Sequence, residues 1–282
     1  HRARRIDNGR EVAVKVLRPG FVGAFRRDID AFHFAAGMIE RLSPATRRLR
    51  PRDVVSHFES VVNCELDLRL EAASASEFAE NTVGDTGMAV PRPHWHLSAR
   101  GVLTTDWAEG IAMSDIPALR AAGHDLQVIG TNVLQLFLRH ALRDGYFHAD
   151  MHQGNLKVAA NGDIVIYDFG IMGEIDEYTR RVYAEILMGF IRRDYERVAR
   201  VHFVAVYEPR DRDMLEFARA LRAVGEPIFG ADASRISMAN LLAYLFEVTE
   251  RFGMATRTEL ILLQRTMVVV EGVARSLDPQ IN

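Results

Sequence analysis

Residues 147–173, FHADMHQGNLKVAANGDIVIYDFGIMG, hold the polar side chains that decide the fold class. In this stretch the carboxylate of Asp150 is followed five residues later by the amide of Asn155. The apolar run from Ile164 to Tyr167 predicts a short strand that ends at Asp168-Phe169-Gly170. The stretch therefore predicts two carboxylates and one amide on loops beside a strand.

These residue types match the requirements of phosphoryl transfer. One carboxylate orients the attacking hydroxyl or water, a second carboxylate and an amide oxygen hold Mg²⁺, and a cation binds the α- and β-phosphates. Asp150, Asn155 and Asp168 follow one another as in the kinase pattern H-R-D-x-x-x-x-N…D-F-G. Lys15, in Val-Ala-Val-Lys, matches the strand lysine of V-A-I-K. The order along the chain makes the combination far more specific than a DFG alone.

Lysine is rare in this chain. Lys and Arg total 35, and the only lysines are Lys15 and Lys157, so 33 cations are arginines. A lysine is a slim point charge that fits a narrow site, whereas a guanidinium is wide and planar. We interpret Lys15 as a position that needs an ammonium, and Lys157 as a solvent-facing residue.

Several of these residues have plainer interpretations. Asp150 could be a turn residue and Asp168 a loop cap. His148 and His152, four residues apart, could bind zinc, but such a site needs a third ligand and a helix. We interpret His148 as a packed loop histidine, whereas His152 could contact phosphate or face solvent.

The remaining sequence predicts an α+β, protein-kinase-like bilobal fold. Residues 11–17 predict a strand, residues 21–42 a helix, residues 44–51 a basic loop and residues 51–81 one long helix. Short segments at 95–97 and 101–105 suggest a hairpin. Residues 127–142 predict an amphipathic helix, and helices fill the chain from about 178 to 276. We predict a small strand-containing N-lobe with long helices at 1–108 and a mostly helical C-lobe at 109–282.

Glu65 is the misfit of the predicted long helix. It lies in a stripe of otherwise apolar residues, where an unpaired carboxylate is costly to bury. The stripe comprises Val54, Phe58, Val61, Glu65, Leu68, Ala72, Ala75 and Ala79. Glu65 therefore needs a cation, for which Lys15 is the candidate, unless it lies at a partly exposed edge of the stripe.

Composition excludes several classes of protein. The chain has 48% hydrophobic and 26% charged residues, which is typical of a globular domain and not of a disordered one. A net charge of -3 gives no bulk attraction to nucleic acid or anionic membranes. The single cysteine, Cys64, favours a reducing compartment, and no run is long and apolar enough to span a membrane.

Six segments resemble successive signatures of the UbiB/ADCK-type atypical kinases, a family associated with ubiquinone (coenzyme Q) biosynthesis. The resemblance covers almost the whole chain. It is carried by VAVKVLRPG (12–20), ELDLRLEAASASEF (65–78), VLTTDWAEG (102–110), GYFHADMHQGN (145–155), IVIYDFGIMGEID (164–176) and EGVARSLDPQIN (271–282). It implies a protein-kinase-like fold, binding of Mg-ATP, and ATPase or small-molecule kinase chemistry rather than protein kinase activity.

The resemblance also implies a role for each residue that matches a family motif. Lys15 binds the α- and β-phosphates, Asp150 is the catalytic-loop aspartate, and Asn155 and Asp168 hold the metal. Glu65-x-Asp67 matches the family's E-x-D motif, and Glu71 matches the glutamate that pairs with the lysine. The apolar stripe instead favours Glu65 as that partner, and the sequence leaves the choice open.

The chain departs from the family pattern in two ways. Met151 and Gln153 replace the usual prolines of HADPHPGN, so we expect a looser loop with intact chemistry. The chain also begins near the second strand of the small lobe, without the phosphate-covering loop, the upstream K-x-G-Q segment or C-terminal membrane helices. We therefore expect a soluble fragment of a parent that associates with the cytoplasmic face of a membrane and contacts a lipophilic quinone-pathway intermediate or quinone-biosynthesis proteins.

Two other functions remain open. An aminoglycoside- or choline-type small-molecule phosphotransferase would share the Asp150, Asn155 and Asp168 pattern, but ELDLRLEAA and VAVKVLRPG disfavour it. A nucleotide-binding pseudokinase module would need no turnover, but the complete set of catalytic residues disfavours that. The sequence after Gly170 reaches helical sequence near Tyr178 and contains no A-P-E motif, which argues against an extended peptide substrate.

Overall fold

The computed structural model describes residues 1–42, 51–206, 214–229, 237–252 and 258–281. The strands are β1 (Arg2–Arg4), β2 (Glu11–Val16), β3 (Met88–Ala89), β4 (Val102–Asp106), β5 (Ile111–Ala112), β6 (Tyr146–His148), β7 (Leu156–Val158), β8 (Ile164–Ile166) and β9 (Met172–Glu174). The helices are α1 (Phe21–Leu42), α2 (Pro51–Glu65), α3 (Leu68–Asn81), α4 (Ile116–Ala121), α5 (Leu126–Arg139), α6 (Glu177–Ile191), α7 (Tyr195–Val206), α8 (Met214–Phe229), α9 (Met238–Arg251) and α10 (Thr258–Leu277). The α+β class is confirmed, and the predicted basic loop at 44–51 lies almost wholly outside the described residues.

The chain packs as two compact units. Unit 1 contains residues 1–80, 90–108 and 168–170, and unit 2 contains residues 81–89, 109–167 and 171–281. The sequence divides the chain linearly after residue 108, whereas packing also assigns the DFG residues to unit 1. Residues from two distant parts of the sequence therefore meet within unit 1.

Unit 1 is built on a three-stranded antiparallel sheet in the order β1-β2-β4. Lys15 is the partner of Leu103 across β2 and β4. A small core forms where Leu68 and Ala72 of α3 pack with Leu103, and Leu17 contacts this cluster. The sheet and the first turns of α3 thus form one packed layer that carries Lys15.

The prediction of one continuous helix over 51–81 is wrong, because the helix breaks at Leu66-Asp67. The side chain of Asp67 accepts a hydrogen bond from the Arg69 amide, and the Leu68 amide donates to the Arg100 carbonyl. Aspartate competes with helical hydrogen bonding in this way and is favoured at helix starts. The break means that the apolar stripe through Glu65 and Leu68 does not run along a single helix.

The predicted hairpin at 95–105 is also wrong in part. Residues Trp95–Leu97 form a turn of 3₁₀-helix and not a strand. The chain does reverse direction here, because antiparallel bridges join Pro93 to Thr105 and Ala99 to Val102, and β4 pairs with β2 on its other side. The hydroxyl of Ser98 donates to the His94 carbonyl, and the Thr104 hydroxyl donates to the Leu97 carbonyl.

Unit 2 contains two small sheets that hold the polar loops. One has the order β3-β8-β7-β5, with β3 parallel to β8, and the other pairs β6 with β9. In the second sheet His148 is the partner of Met172, and Phe147 is the partner of Gly173. The ring of Phe147 lies where a Cβ at Gly173 would be, so a larger residue there would clash.

Helices complete unit 2 and form its core. Helix α5 begins at the cap Asp125, whose carboxylate accepts from the amides of Gln127 and Val128. It packs on α10, and Gly130 allows this approach because a Cβ there would lie 3.2 Å from the Ala274 carbonyl oxygen. A second core joins α6 to α9 through Ile186, Phe190, Tyr195, Val198, Ala199, Phe217, Ala218, Leu221, Leu241 and Leu245. Among the described helices, none has the length and apolar character needed to cross a bilayer.

Candidate functional site

Lys15 is joined to two carboxylates within unit 1. Its Nζ donates to both carboxylate oxygens of Glu71, at 2.9 and 3.0 Å, and to Oδ1 of Asp168 at 3.0 Å. Strand β2 supplies the lysine, the first turn of α3 supplies Glu71, and the DFG segment supplies Asp168. Three of the predicted site residues therefore meet although they are widely separated in sequence.

Burial and charge act in opposite directions on this cluster. Burial raises the pKa of Glu71, and the hydrogen bond from Lys15 only partly offsets that effect. Burial also acts to lower the pKa of Lys15, but the hydrogen bonds and charges of Glu71 and Asp168 outweigh it and raise the pKa. The side chain of Glu71 is 9% exposed while that of Asp168 is 46% exposed. The lysine thus joins one buried carboxylate to one that solvent reaches.

The backbone of Asp168 has a left-handed conformation, with φ at 66°. Few residues other than glycine take this conformation, although aspartate tolerates it better than most. The next residue, Phe169, is buried and its ring lies 5.3 Å from the ring of Phe78. Packing of Phe169 on α3 holds the turn that directs Asp168 toward Lys15.

The loop around Asp150 is organised within unit 2. His148 is fully buried, and its Nδ1 accepts from the Asp150 backbone amide at 3.1 Å, so it is a packed histidine as predicted, although it ends strand β6 instead of lying in a loop. The buried side chain of Asn155 donates from Nδ2 to the Asp150 carbonyl at 2.9 Å and to Asp150 Oδ2 at 3.4 Å. Asn155 and Asp150 are therefore adjacent, as their spacing predicts.

The segment around Asp150 packs against α10, although Met151 and Gln153 stand in place of the usual prolines. Met151 is completely buried, and the side-chain amide of Gln153 donates to the hydroxyl of Ser276 on α10 at 2.6 Å. Thr266 on the same helix donates to the Ala149 carbonyl at 3.1 Å. Both residues at the proline positions therefore make contacts of their own, and the looser loop stays a prediction.

Of the two acidic residues in the E-x-D motif, the structure describes the side chain of Asp67. The carboxylate of Asp67 accepts from the guanidinium of Arg69 at 2.6 and 2.8 Å, which lowers the pKa of Asp67 to about 2. The side chain of Glu65 lies outside the described part of the structure. Of the two glutamates considered as partners of Lys15, Glu71 makes the contact.

A second cluster of one cation and two carboxylates lies in unit 2 and was not foreseen from the sequence. Arg143 donates to both oxygens of Asp85 and to both oxygens of Asp144, at 2.5 to 2.8 Å. The buried His140 lies beside it, with Nε2 3.6 Å from Asp85. Asp85, His140 and Asp144 are close enough to one another to hold a cation. Arg143 already neutralises both carboxylates, so we interpret this cluster as structural.

The oxygen donors of the predicted metal site suit Mg²⁺ by their chemistry. A carboxylate such as Asp168 and an amide oxygen such as that of Asn155 are hard ligands of the kind that Mg²⁺ prefers. The Asn155 amide directs its nitrogen at Asp150, so its oxygen is the atom that a cation would take. Asp168 belongs to unit 1 and Asn155 to unit 2.

Comparison with known proteins gives two family matches that together cover most of the chain. Residues 1–202 match the ABC1 atypical kinase-like domain, and residues 221–282 match the UbiB helical domain. The chain is also similar to Rv3197 of Mycobacterium tuberculosis, solved as a complex with erythromycin, with 26% identity and a TM-score of 0.69 over 99% of this chain and 70% of that one. Together these matches confirm the predicted protein-kinase-like fold.

Two structures of the bifunctional kinase-methyltransferase WbdD align less well. One is 16% identical with a TM-score of 0.28, over 70% of this chain and 41% of that one. The other is 20% identical with a TM-score of 0.26, over 68% and 40%. Likenesses this weak carry no argument about fold or activity.

Proposed function

The chain belongs to the ABC1 atypical kinase-like family, and on that premise we propose that it is a Mg-ATP-dependent phosphotransferase or ATPase that supports ubiquinone biosynthesis. The observation that carries the proposal is the contact of Lys15 with both Glu71 and Asp168. A buried glutamate that orients a lysine beside the DFG aspartate is the arrangement that phosphate binding in kinases requires. The match to the UbiB helical domain supports the link to quinone biosynthesis.

Each residue has a role that follows from its surroundings. Lys15 binds the α- and β-phosphates, since its three N–H donors can be redistributed among carboxylate and phosphate oxygens. Glu71 orients Lys15 from a buried position. Asp150 orients the hydroxyl or water that attacks, and Asn155 holds the Asp150 backbone in place.

Asp168 and Asn155 are the residues that would hold Mg²⁺. The ion, when bound, neutralises charge on the phosphates. Lys15 also donates a hydrogen bond to Asp168. Asp67, which accepts hydrogen bonds from Arg69, stays a proposed cofactor-binding residue, as does Glu65 of the same motif.

The segment after the DFG supports a small or lipophilic acceptor rather than a protein. Only residues 169–176 separate Asp168 from α6, and strand β9 occupies part of that segment. A segment this short offers no extended surface for a peptide. We therefore propose hydrolysis of ATP or transfer to a lipophilic quinone-pathway intermediate, with the protein associated with the cytoplasmic face of a membrane.

The test is Mg²⁺-dependent hydrolysis of ATP by the wild-type protein and by Asp168→Asn. The wild type should hydrolyse ATP only with Mg²⁺, and the variant should lose at least about a hundredfold in kcat/KM because a neutral amide holds the cation poorly. Glu177→Gln, which removes an exposed carboxylate paired only across one helical turn, is the matched control and should keep full activity.

Other results would change the proposal. Binding of ATP by the wild type without any turnover would favour the pseudokinase module. Robust transfer to a generic peptide, lost in Asp150→Asn, would contradict the choice of acceptor. Transfer to an aminoglycoside or to choline would favour the small-molecule phosphotransferase.

A further inference from the structure

The imidazole of His152 is held at a defined angle beside Asp150. Its Nδ1 accepts a hydrogen bond from the Gly154 amide at 2.9 Å, so His152 caps the short helical turn at residues 153–155. The ring lies directly against Gly154, where an added Cβ would be 2.6 Å from Cε1 of His152. Glycine at position 154 therefore allows the ring to take this place.

The capping bond determines which ring nitrogen carries the proton. Because Nδ1 accepts from a backbone amide, a neutral His152 must carry its proton on Nε2. This nitrogen lies 3.6 Å from Oδ2 of Asp150. The distance is slightly longer than a hydrogen bond, and such contacts in catalytic sites often shorten once substrate is bound.

Two side chains, those of Asn155 and His152, approach the carboxylate of Asp150. Asn155 binds the Asp150 backbone carbonyl and approaches Oδ2 at 3.4 Å, while the N–H of His152 faces the same oxygen. The side chains of His152 and Asp150 are 50% and 44% exposed, in contrast to the buried His148. Solvent therefore reaches both His152 and the carboxylate of Asp150.

We propose that His152 is a positioning residue for Asp150. The Gly154 amide fixes the ring as the Nε2–H tautomer, and this N–H orients the Asp150 carboxylate toward the attacking hydroxyl or water. The role rests on the proposed function of Asp150 in phosphoryl transfer. A residue that only caps the turn would need Nδ1 alone, whereas a residue that positions Asp150 also needs the N–H at Nε2.

Three substitutions test the contributions of Nδ1 and Nε2 separately. Asn places an acceptor where Nδ1 lies, so His152→Asn keeps the cap and loses the donor toward Asp150. Gln places an N–H near the position of Nε2, so His152→Gln keeps the donor and weakens the cap. His152→Ala removes both, and His124→Asn is the matched control at a histidine outside the catalytic loop.

The measurement is the steady-state hydrolysis of Mg-ATP by the same protein chain. We expect His152→Asn to lower kcat about tenfold, with the KM for ATP within about twofold of the wild type, because positioning acts on the reacting carboxylate and not on nucleotide binding. His152→Gln should recover part of the lost kcat, and His152→Ala should not. Full kcat in His152→Asn, or equal losses in the Asn and Gln variants, would overturn the inference.

The tautomer can be measured independently of activity from the ¹⁵N resonances of the histidine rings. We expect Nε2 of His152 to carry the proton in the wild type, whereas protonation at Nδ1 alone would overturn the inference even if ATP is hydrolysed. If the wild type hydrolyses ATP through Asp168 but His152→Asn is fully active, the inference fails and the proposed function stands. If the wild type shows no turnover of ATP, the proposed function fails and the positioning role fails with it.

Discussion

Each of the two units holds one cation between two carboxylates, but the two clusters are built differently. In unit 1, Lys15 contacts Glu71 and Asp168 with a single ammonium group. In unit 2, Arg143 binds Asp85 and Asp144, each through both oxygens. The unit 2 carboxylates are 11% and 12% exposed, far less than the 46% of Asp168.

The difference separates a structural ion pair from one that can exchange partners. A guanidinium that binds two carboxylates through both oxygens has a fixed geometry, and its hydrogen bonds with Asp144 and Asp85 raise the pKa of Arg143. An ammonium has no preferred plane, so Lys15 can move from a carboxylate to a phosphate at little cost. In a chain that uses arginine for 33 of its 35 cations, Lys15 is one of only two lysines, and the role proposed for it needs a cation that can exchange partners.

The largest effect on ATP hydrolysis should come from replacing Lys15 by arginine. Lys15→Arg keeps the charge, but a wide, planar guanidinium does not replace a point ammonium in a narrow site and should hold the carboxylates of Glu71 and Asp168 too firmly to release them. We expect kcat/KM for ATP to fall about a hundredfold or more. Lys157→Arg is the matched control, since it changes the only other lysine, and it should leave hydrolysis unchanged. Near-normal affinity for ATP in Lys15→Arg would remove Lys15 from the site.

The reverse substitution in unit 2 should affect stability and not chemistry. Arg143→Lys retains one positive charge but cannot bind both oxygens of both Asp85 and Asp144. We expect the free energy of unfolding to fall by about 1–2 kcal/mol, a discounted figure because part of Arg143 is exposed. Urea denaturation measures this change, with Arg181→Lys in an exposed helical pair as the control. Equal free energies of unfolding for Arg143→Lys and Arg181→Lys would show that the Arg143 ion pairs do not stabilise the fold.

The smallest effect concerns pH and the histidine beside Arg143. Burial lowers the pKa of His140 to about 4, while an unfolded histidine keeps a value near 6.5. Between pH 6.5 and about 4 the unfolded chain therefore binds a proton that the folded chain does not, and stability falls as pH falls. Above pH 6.5 neither state gains a proton and the contribution is fully present.

The expected loss from His140 is about 1 kcal/mol per pH unit between pH 6 and 5. His140→Gln removes this contribution, while the hydrogen bond from Arg143 lowers the pKa of Asp85, so this carboxyl stays ionised from pH 7 to 5 and adds no slope there. The measurement is urea denaturation of the wild type and of His140→Gln at pH 7, 6 and 5. The same pH slope in both proteins would contradict the burial of a neutral His140.

Local patterns in the sequence predicted much of the fold and most of the candidate site. Helix α1 has the predicted bounds, strand β2 lies where its alternation predicts a strand, and strand β8 lies where the apolar run from Ile164 predicts one. The adjacency of Asp150 and Asn155 follows from their spacing, because five residues of loop cannot separate them far. The roles of Lys15, Asp150, Asn155 and Asp168 in phosphoryl transfer remain predictions that the experiments above test.

Contacts between distant residues required the tertiary structure. The periodicity of residues 51–81 favoured Glu65 as the partner of Lys15, but Asp67 breaks the helix and Glu71 makes the contact. No spacing rule could join Arg143 to Asp85, because the contact depends on how residues 81–89 pack within unit 2. The sequence by itself determined which groups are chemically available, since residue identity and short spacing are local properties. Only packing decided which charges meet, because burial makes an unpaired charge costly and so selects the partners.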